Sequence, residues 1–139
     1  MIQYVKAPDV EQIGRKIVST LSLSHIDETR LHYYRSTGSK ARRVQARIHG
    51  MGRIWFDALD MQPHYIIEVI SEEFDRLQLA EKEKVVIHEL MHIPSRFSGG
   101  FVPHRGKITS RSVEKLHRQY VEKKCSNLNA LEGSYSGAV

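Results

Sequence analysis

Two histidines and a glutamate occur at a spacing that suits metal-dependent hydrolysis. Residues 88–92 read His-Glu-Leu-Met-His, so that His88 and His92 are four residues apart. On a helix, residues at this spacing lie about one turn above each other, and both imidazoles can reach one ion. Glu89 is rotated by about 100° from His88, which puts its carboxylate beside the ion rather than on it. The spacing therefore predicts a zinc site, with Glu89 as general base acting on a metal-activated water.

A structural interpretation of these three residues stays open, in which each is a core side chain with a hydrogen-bond partner of its own. The helix that must carry them, from Val85 to Ile93, is otherwise apolar. Burying an unpaired carboxylate there costs on the order of several kcal/mol. One ion with its water would satisfy all three polar groups together, and the sequence therefore favours a metal site.

Two histidines do not complete such a site, because catalytic zinc usually has three protein ligands and one open position. The downstream candidates are His104, Glu114 and His117. Pro94 ends the helix and Gly99-Gly100 allows the chain to turn back, so the eleven residues between the second histidine and His104 are enough for a returning loop. This geometry favours His104. Glu114 and His117 lie on a predicted final helix and stay open as alternatives.

Other residues are candidates for contact with the substrate or the transition state. Tyr120, His117 and Arg105 can each donate a hydrogen bond to the oxyanion that forms when water attacks a carbonyl. Tyr120 also falls on the apolar stripe of the final helix, where core packing is the competing interpretation. A predicted strand over 65–70 could pair with an extended substrate, although a plain core strand is the simpler interpretation.

Length and composition limit the class of protein. A chain of 139 residues accommodates one domain, and 40% hydrophobic with 27% charged residues is typical of a soluble globular protein. No apolar stretch approaches 18 residues, which excludes a membrane span. The first residues show no basic region followed by an apolar run, so we expect a cytoplasmic location. The single cysteine, Cys125, excludes an internal disulfide and a multi-cysteine zinc site.

The net charge of +5 is unevenly distributed. Residues 1–53 carry a net +6, residues 54–94 a net −6 and residues 95–139 a net +5. The basic flanks could form a face for nucleic acid. Ordinary solvated surface is favoured, because no aromatic-plus-basic RNA motif or helix-turn-helix pattern accompanies the charge.

Hydrophobic periodicity predicts an α+β fold. Asp9 and Gln12 suggest a capped start for an N-terminal helix over 9–21. The other predicted elements are strands near 31–34, 43–49, 54–56 and 64–70, a buried helix beginning near 79 and ended by proline, and a last helix that includes 113–121.

The motif region also resembles a known family. The segment His88–Pro94, followed by Phe97–Gly100 and Pro103-His104, resembles an uncharacterised family of predicted metallopeptidases from archaea and phages. Segments 35–39 and 46–50 resemble that family as well.

This family is in turn similar to the SprT-like zincins, which are small HExxH domains whose third ligand is a histidine opening the next helix. The resemblance implies one Zn²⁺ held by His88, His92 and His104 in a zinc-dependent protease, sometimes acting on proteins at DNA. It also implies a minimal zincin-like domain over 1–125, in which a small, mainly antiparallel sheet packs with an N-terminal helix, a buried active-site helix and a C-terminal helix. We expect residues 126–139 to form a flexible C-terminal tail.

The resulting hypothesis is a zinc metallopeptidase that hydrolyses peptide bonds in a protein or peptide substrate. Two alternatives remain. One is a metal-dependent hydrolase of nucleic acid, which the basic flanks would help to bind. The other is a non-catalytic binding module that a metal stabilises. The three hypotheses differ in what occupies the fourth coordination position and in what depends on Glu89.

Overall fold

A computed structural model describes residues 1–136 and has the predicted α+β class. Within these residues the strands are β1 (Gln3–Lys6), β2 (Leu31–Thr37), β3 (Ala46–Gly50) and β4 (Tyr65–Ile70). The α-helices are α1 (Pro8–Thr20), α2 (Arg53–Leu59), α3 (Ser71–Phe74), α4 (Leu79–Met91) and α5 (Ser110–Ser136). A single 3-10 turn, Glu28–Arg30, precedes β2.

The four strands form one mixed sheet in the order β1-β2-β4-β3. β1 with β2 and β3 with β4 are antiparallel, whereas the central pair, β2 with β4, is parallel. The sheet is therefore mainly antiparallel, as predicted. Because β4 has a partner on both sides, it offers no free edge to a substrate, and the suggested pairing of an extended substrate with residues 65–70 is wrong. The edge strand beside β4 is β3.

The core lies between one face of this sheet and the helices α1 and α4. Alternate residues of β4 point into it, as expected for a strand with one buried face. The fully buried side chains of this layer come from β4, α4 and α1: Tyr65, Ile67, Val69, Val86, Ile87, Val10 and Ile17. Burial at about 25 cal/mol per Å² of apolar surface makes this contact the main stabilisation of α4, the helix that carries the motif.

The start of α1 differs from the capping prediction. Ala7 is the N-cap residue and makes no side-chain cap, and Pro8 occupies the first turn. The Asp9 carboxylate instead accepts two hydrogen bonds of 2.9 Å from Arg35 on β2. A bidentate arginine–carboxylate pair is stronger than a neutral cap bond, so the aspartate joins α1 to the sheet rather than capping the helix.

Residues 54–56 lie in α2, so the predicted strand there is wrong. Ile54 and Trp55 are 77% and 56% exposed, and the Phe56 ring lies against Gly99. A run of three apolar residues is too short to show a period of 2 or of 3.6, so it does not distinguish a strand from a turn of helix.

The last helix is longer than predicted. α5 continues through Ser136, so that residues 126–136 of the expected tail are helical, while residues 137–139 of that tail lie outside the described residues. Good helix formers such as Leu128, Ala130 and Leu131 continue the helical pattern beyond Cys125. None of the helices in residues 1–136 combines the length and apolar character needed to cross a membrane.

Candidate metal centre

Three histidines converge at the carboxyl end of α4. His88 lies in the last turn of that helix, and His92 is its C-cap residue with a helical backbone. His104 reaches the same point from the loop before α5. The available ring nitrogens of the three residues all lie within 4.8 Å of one another. The Nε2 atoms of His88 and His104 are 3.2 Å apart.

These distances fit a zinc ion. Two nitrogens held about 2.0–2.1 Å from one ion at the tetrahedral angle lie about 3.3 Å apart, close to the separation of the two Nε2 atoms. Burial and the neighbouring imidazoles lower the pKa of His88, which favours its neutral, ligating form. Three neutral imidazoles with a free fourth position are a ligand set of catalytic zinc sites.

His92 is oriented by the loop that follows it. Its Nδ1 donates a hydrogen bond of 2.8 Å to the Val102 carbonyl oxygen, which leaves Nε2 to act as ligand. The Val102 backbone N–H in turn donates to the His92 carbonyl oxygen at 2.8 Å. This reciprocal pair of hydrogen bonds joins the end of α4 to the loop just before His104.

Tyr65 of β4 positions the same loop and was missed by the sequence analysis. Its side chain is fully buried. Its hydroxyl donates to the Gly100 carbonyl oxygen and accepts from the Gly99 N–H, both at 2.7 Å. Its ring packs edge-on against Phe97 and Phe101. The only sequence clue was a tyrosine at the start of a mostly aliphatic strand, where a buried hydroxyl must find a partner.

Glu89 follows His88 in α4 and lines the same cavity, in a low-polarity setting. The residue is only 7% exposed, and burial raises the pKa of its carboxyl to about 7. Among residues 1–136 its carboxylate has no hydrogen-bond or ion-pair partner. A carboxyl whose pKa is near neutrality and whose oxygens are available can both accept and return a proton.

His88 and Glu89 open onto a cavity of about 570 Å³. Its other walls come from the segment before β3, the first turns of α4, and the start of α5 with the loop before it. They comprise Arg43–Ala46, Glu81, Lys84, Val85, Ile108–Ser110, Val113 and Glu114. The volume is in the range of small-molecule and peptide sites.

The remaining candidates have partners elsewhere. The Glu114 carboxylate accepts a hydrogen bond of 2.9 Å from Lys84, and His117 Nε2 lies 3.0 Å from a carboxylate oxygen of Glu83. Tyr120 is 1% exposed, and burial together with Glu83 raises the pKa of its hydroxyl to about 12. Neither His117 nor Tyr120 lines the cavity.

Glu83 was not identified from the sequence, where it looked like one of several charges in a solvated first turn. In the structure this residue of α4 is 7% exposed, and its carboxylate faces His117 of α5. Arg105 is exposed on the loop next to His104. The structure thus brings His88, His92 and His104 together, with Glu89 lining the same cavity as His88, and leaves the other candidates outside the group.

Comparison with known proteins agrees with this chemistry. A family model described as "Putative phage metallopeptidase" matches residues 2–125. The matched range includes all three histidines, Glu89 and the whole sheet. Neither the curated proteins nor the solved structures that were searched contain a significant match to the chain.

Proposed function

The chain belongs to this phage metallopeptidase family, and we propose that it is a zinc-dependent peptidase with the active-site layout of the SprT-like zincins. The observation that supports this most directly is the group of three imidazoles with ligand nitrogens within 4.8 Å of one another, together with the buried Glu89 carboxylate, which lines the same cavity as His88 and has no partner among residues 1–136. A histidine just ahead of the next helix, as His104 is ahead of α5, is the arrangement that the SprT-like resemblance implies.

In this proposal His88, His92 and His104 would hold one Zn²⁺. When bound, the ion supplies a Lewis acid that polarises the scissile carbonyl and acidifies water. Glu89 takes a proton from the attacking water and delivers it to the leaving amine. Its oxygens have no other partner in residues 1–136, so they are available for both transfers. Val102 keeps the His92 ring in the tautomer that presents Nε2.

The substrate is a protein or peptide that occupies the cavity beside Glu89. The cavity is open to solvent, so an extended chain can enter it. Polar and charged side chains make up part of the wall, which suits a peptide with its many hydrogen-bonding groups better than a purely apolar ligand.

Glu89→Gln tests the proposed mechanism. The amide keeps the size of the side chain but cannot accept a proton, so we expect zinc content to stay at the wild-type level while peptide turnover falls about 10²–10⁴-fold. Zinc is measured by elemental analysis of the purified protein, and turnover with a pool of quenched fluorescent peptides. Glu122→Gln, an exposed residue on α5, is the matched control.

Hydrolysis that persists in Glu89→Gln at the wild-type rate would refute Glu89 as general base. Cleavage of RNA that survives the same substitution would favour the nucleic-acid hydrolase instead. Zinc binding without turnover of any substrate would favour the non-catalytic module.

A further inference from the structure

Arg43 stands at the entrance of the cavity that contains Glu89. It is the first residue of the wall segment Arg43–Ala46, which leads into the edge strand β3. The Ile70 N–H donates to the Gln45 carbonyl oxygen at 2.9 Å, so this segment is tied to the end of β4 just before β3 begins. The arginine is exposed and extends from an anchored piece of backbone.

The charges of the cavity wall leave this arginine without a partner. Lys84 Nζ lies 3.2 Å from a Glu81 oxygen and 2.9 Å from a Glu114 oxygen, so these three groups are paired with one another. Arg43 makes no side-chain hydrogen bond or ion pair with any residue in the described part of the chain. A guanidinium with five donors at the entrance of a peptide-sized cavity is a ready partner for an anion.

The backbone of Arg43 is a second, independent observation. Its φ of +67° is in the left-handed region that favours glycine. Ser22 and Asp60 share this feature but directly follow helix ends, where left-handed residues are common, and Phe97 is a buried core residue. Arg43 lies instead in the bend just before β3, and its left-handed backbone sets the direction in which the exposed side chain leaves that bend.

We propose that Arg43 binds a carboxylate of the peptide substrate, so that the enzyme prefers substrates that place a negative charge at this end of the cavity. The proposal rests on the peptidase function given above. The carboxylate belongs either to an Asp or Glu side chain near the scissile bond or to the C-terminus of the substrate. A planar guanidinium can hold either one through two parallel hydrogen bonds. Arg43 is thereby a specificity residue rather than a catalytic one.

The test compares peptides that differ only in charge. One pair carries Glu or Gln at positions flanking the scissile bond, and a second pair ends in a free carboxylate or an amide. The proteins are the wild type, Arg43→Asn, whose side chain tolerates a left-handed backbone, and Arg43→Lys. Arg42→Asn is the control, because Arg42 is an adjacent exposed arginine that does not line the cavity. The value of kcat/KM is measured for each of these proteins. The Kd is measured for each of them with Glu89→Gln added, so that the bound peptide is not cleaved.

With Arg43 present, we expect one of the two peptide pairs to show a preference for its acidic member. For that member kcat/KM should be about tenfold higher, and Kd about tenfold lower, than for its neutral partner. Arg43→Asn should remove this preference and leave neutral peptides within about twofold, Arg43→Lys should keep part of it, and Arg42→Asn should keep all of it. The pair that shows the preference identifies the source of the carboxylate.

Equal kcat/KM values and equal Kd values for the acidic and neutral peptides, in the proteins that keep Arg43, would overturn the proposal. So would a loss of turnover in Arg43→Asn that is the same for every peptide, since that would place Arg43 on the reacting carbonyl. Charge-dependent binding through Arg43 without any cleavage would support the carboxylate site and refute the peptidase function, which separates the two failures.

Discussion

The loop that carries His104 is hydrogen-bonded to the sheet through the Tyr65 hydroxyl, and Tyr65→Phe tests whether these hydrogen bonds set the affinity for zinc. The Tyr65 hydroxyl is hydrogen-bonded to Gly99 N and Gly100 O, both at 2.7 Å. His88 lies within α4 and does not depend on this bond, whereas the C-cap residue His92 is oriented by the same loop through the Val102 carbonyl oxygen. The substitution therefore acts on the loop that carries His104 and, through Val102, on the orientation of His92, and it leaves His88 in place.

The expected loss of stability follows from the two bonds. Each buried hydrogen bond contributes about 1 kcal/mol net, and an unpaired buried N–H, such as that of Gly99, adds about 1 kcal/mol or more. Phenylalanine fills the same space as tyrosine, so no cavity forms. We expect the free energy of unfolding of the metal-free protein to fall by about 2–3 kcal/mol, measured by urea denaturation and circular dichroism.

The same bonds limit the effect on the metal. If the released loop holds His104 in place less often, zinc affinity falls by at most the free energy that held the loop. About 2 kcal/mol corresponds to about 30-fold. We therefore expect the Kd for zinc to rise by between about 3-fold and 30-fold, measured by competition with a chelating dye.

Tyr33→Phe is the matched control for this experiment. Tyr33 is 5% exposed on β2, and its buried hydroxyl has no hydrogen-bond partner in the described chain. Removing an unsatisfied hydroxyl should leave stability unchanged or raise it by up to about 1 kcal/mol, with no effect on zinc. Wild-type zinc affinity in a destabilised Tyr65→Phe protein would refute the idea that the hydroxyl positions His104.

Two further outcomes follow from individual contacts. His104→Ala should weaken zinc binding by about 100-fold or more, whereas Glu114→Ala should leave it unchanged because that carboxylate is paired with Lys84. Competition titration with a chelating dye measures both affinities. A larger loss of zinc affinity in Glu114→Ala than in His104→Ala would make Glu114 the third ligand. Hydrogen bonds from Thr29 and Arg30 lower the pKa of Asp27 to about 2, so the ionised carboxylate adds stability above pH 4 that is lost as pH falls toward 2. Between pH 4 and pH 2 the wild type should therefore lose more unfolding free energy than Asp27→Asn in urea titrations, and parallel losses would contradict this assignment.

The elements that the sequence predicted correctly are those whose information is local. The motif helix combines charged helix formers at its start, an apolar middle and Pro94 after its end, and α4 spans Leu79–Met91 as these features indicate. Strands β2, β3 and β4 were found from aromatic content, alternation or a short apolar run, all of which are local features of the sequence.

The elements that were missed depend on distant parts of the chain. Strand β1 is exposed at all four positions and exists through pairing with β2, about thirty residues away, so it has no alternation of its own. Residues 54–56 turned out to be helical because Phe56 packs against Gly99 in the loop after α4. Neither contact can be recognised from local spacing.

The third ligand was the hardest part of the site to predict for the same reason. Spacing on one helix relates His88 to His92 directly, but His104 approaches them through Tyr65, a residue 35 positions away from the glycine it holds. The contacts between α4 and α5 point the same way, since Lys84 pairs with Glu114 and Glu83 with His117. Each pair that fastens α5 to the motif helix occupies a residue that could otherwise have served as ligand. The packing of the last helix therefore occupies both alternative ligands and leaves His104, which Pro94 and Gly99-Gly100 could favour in the sequence but could not decide.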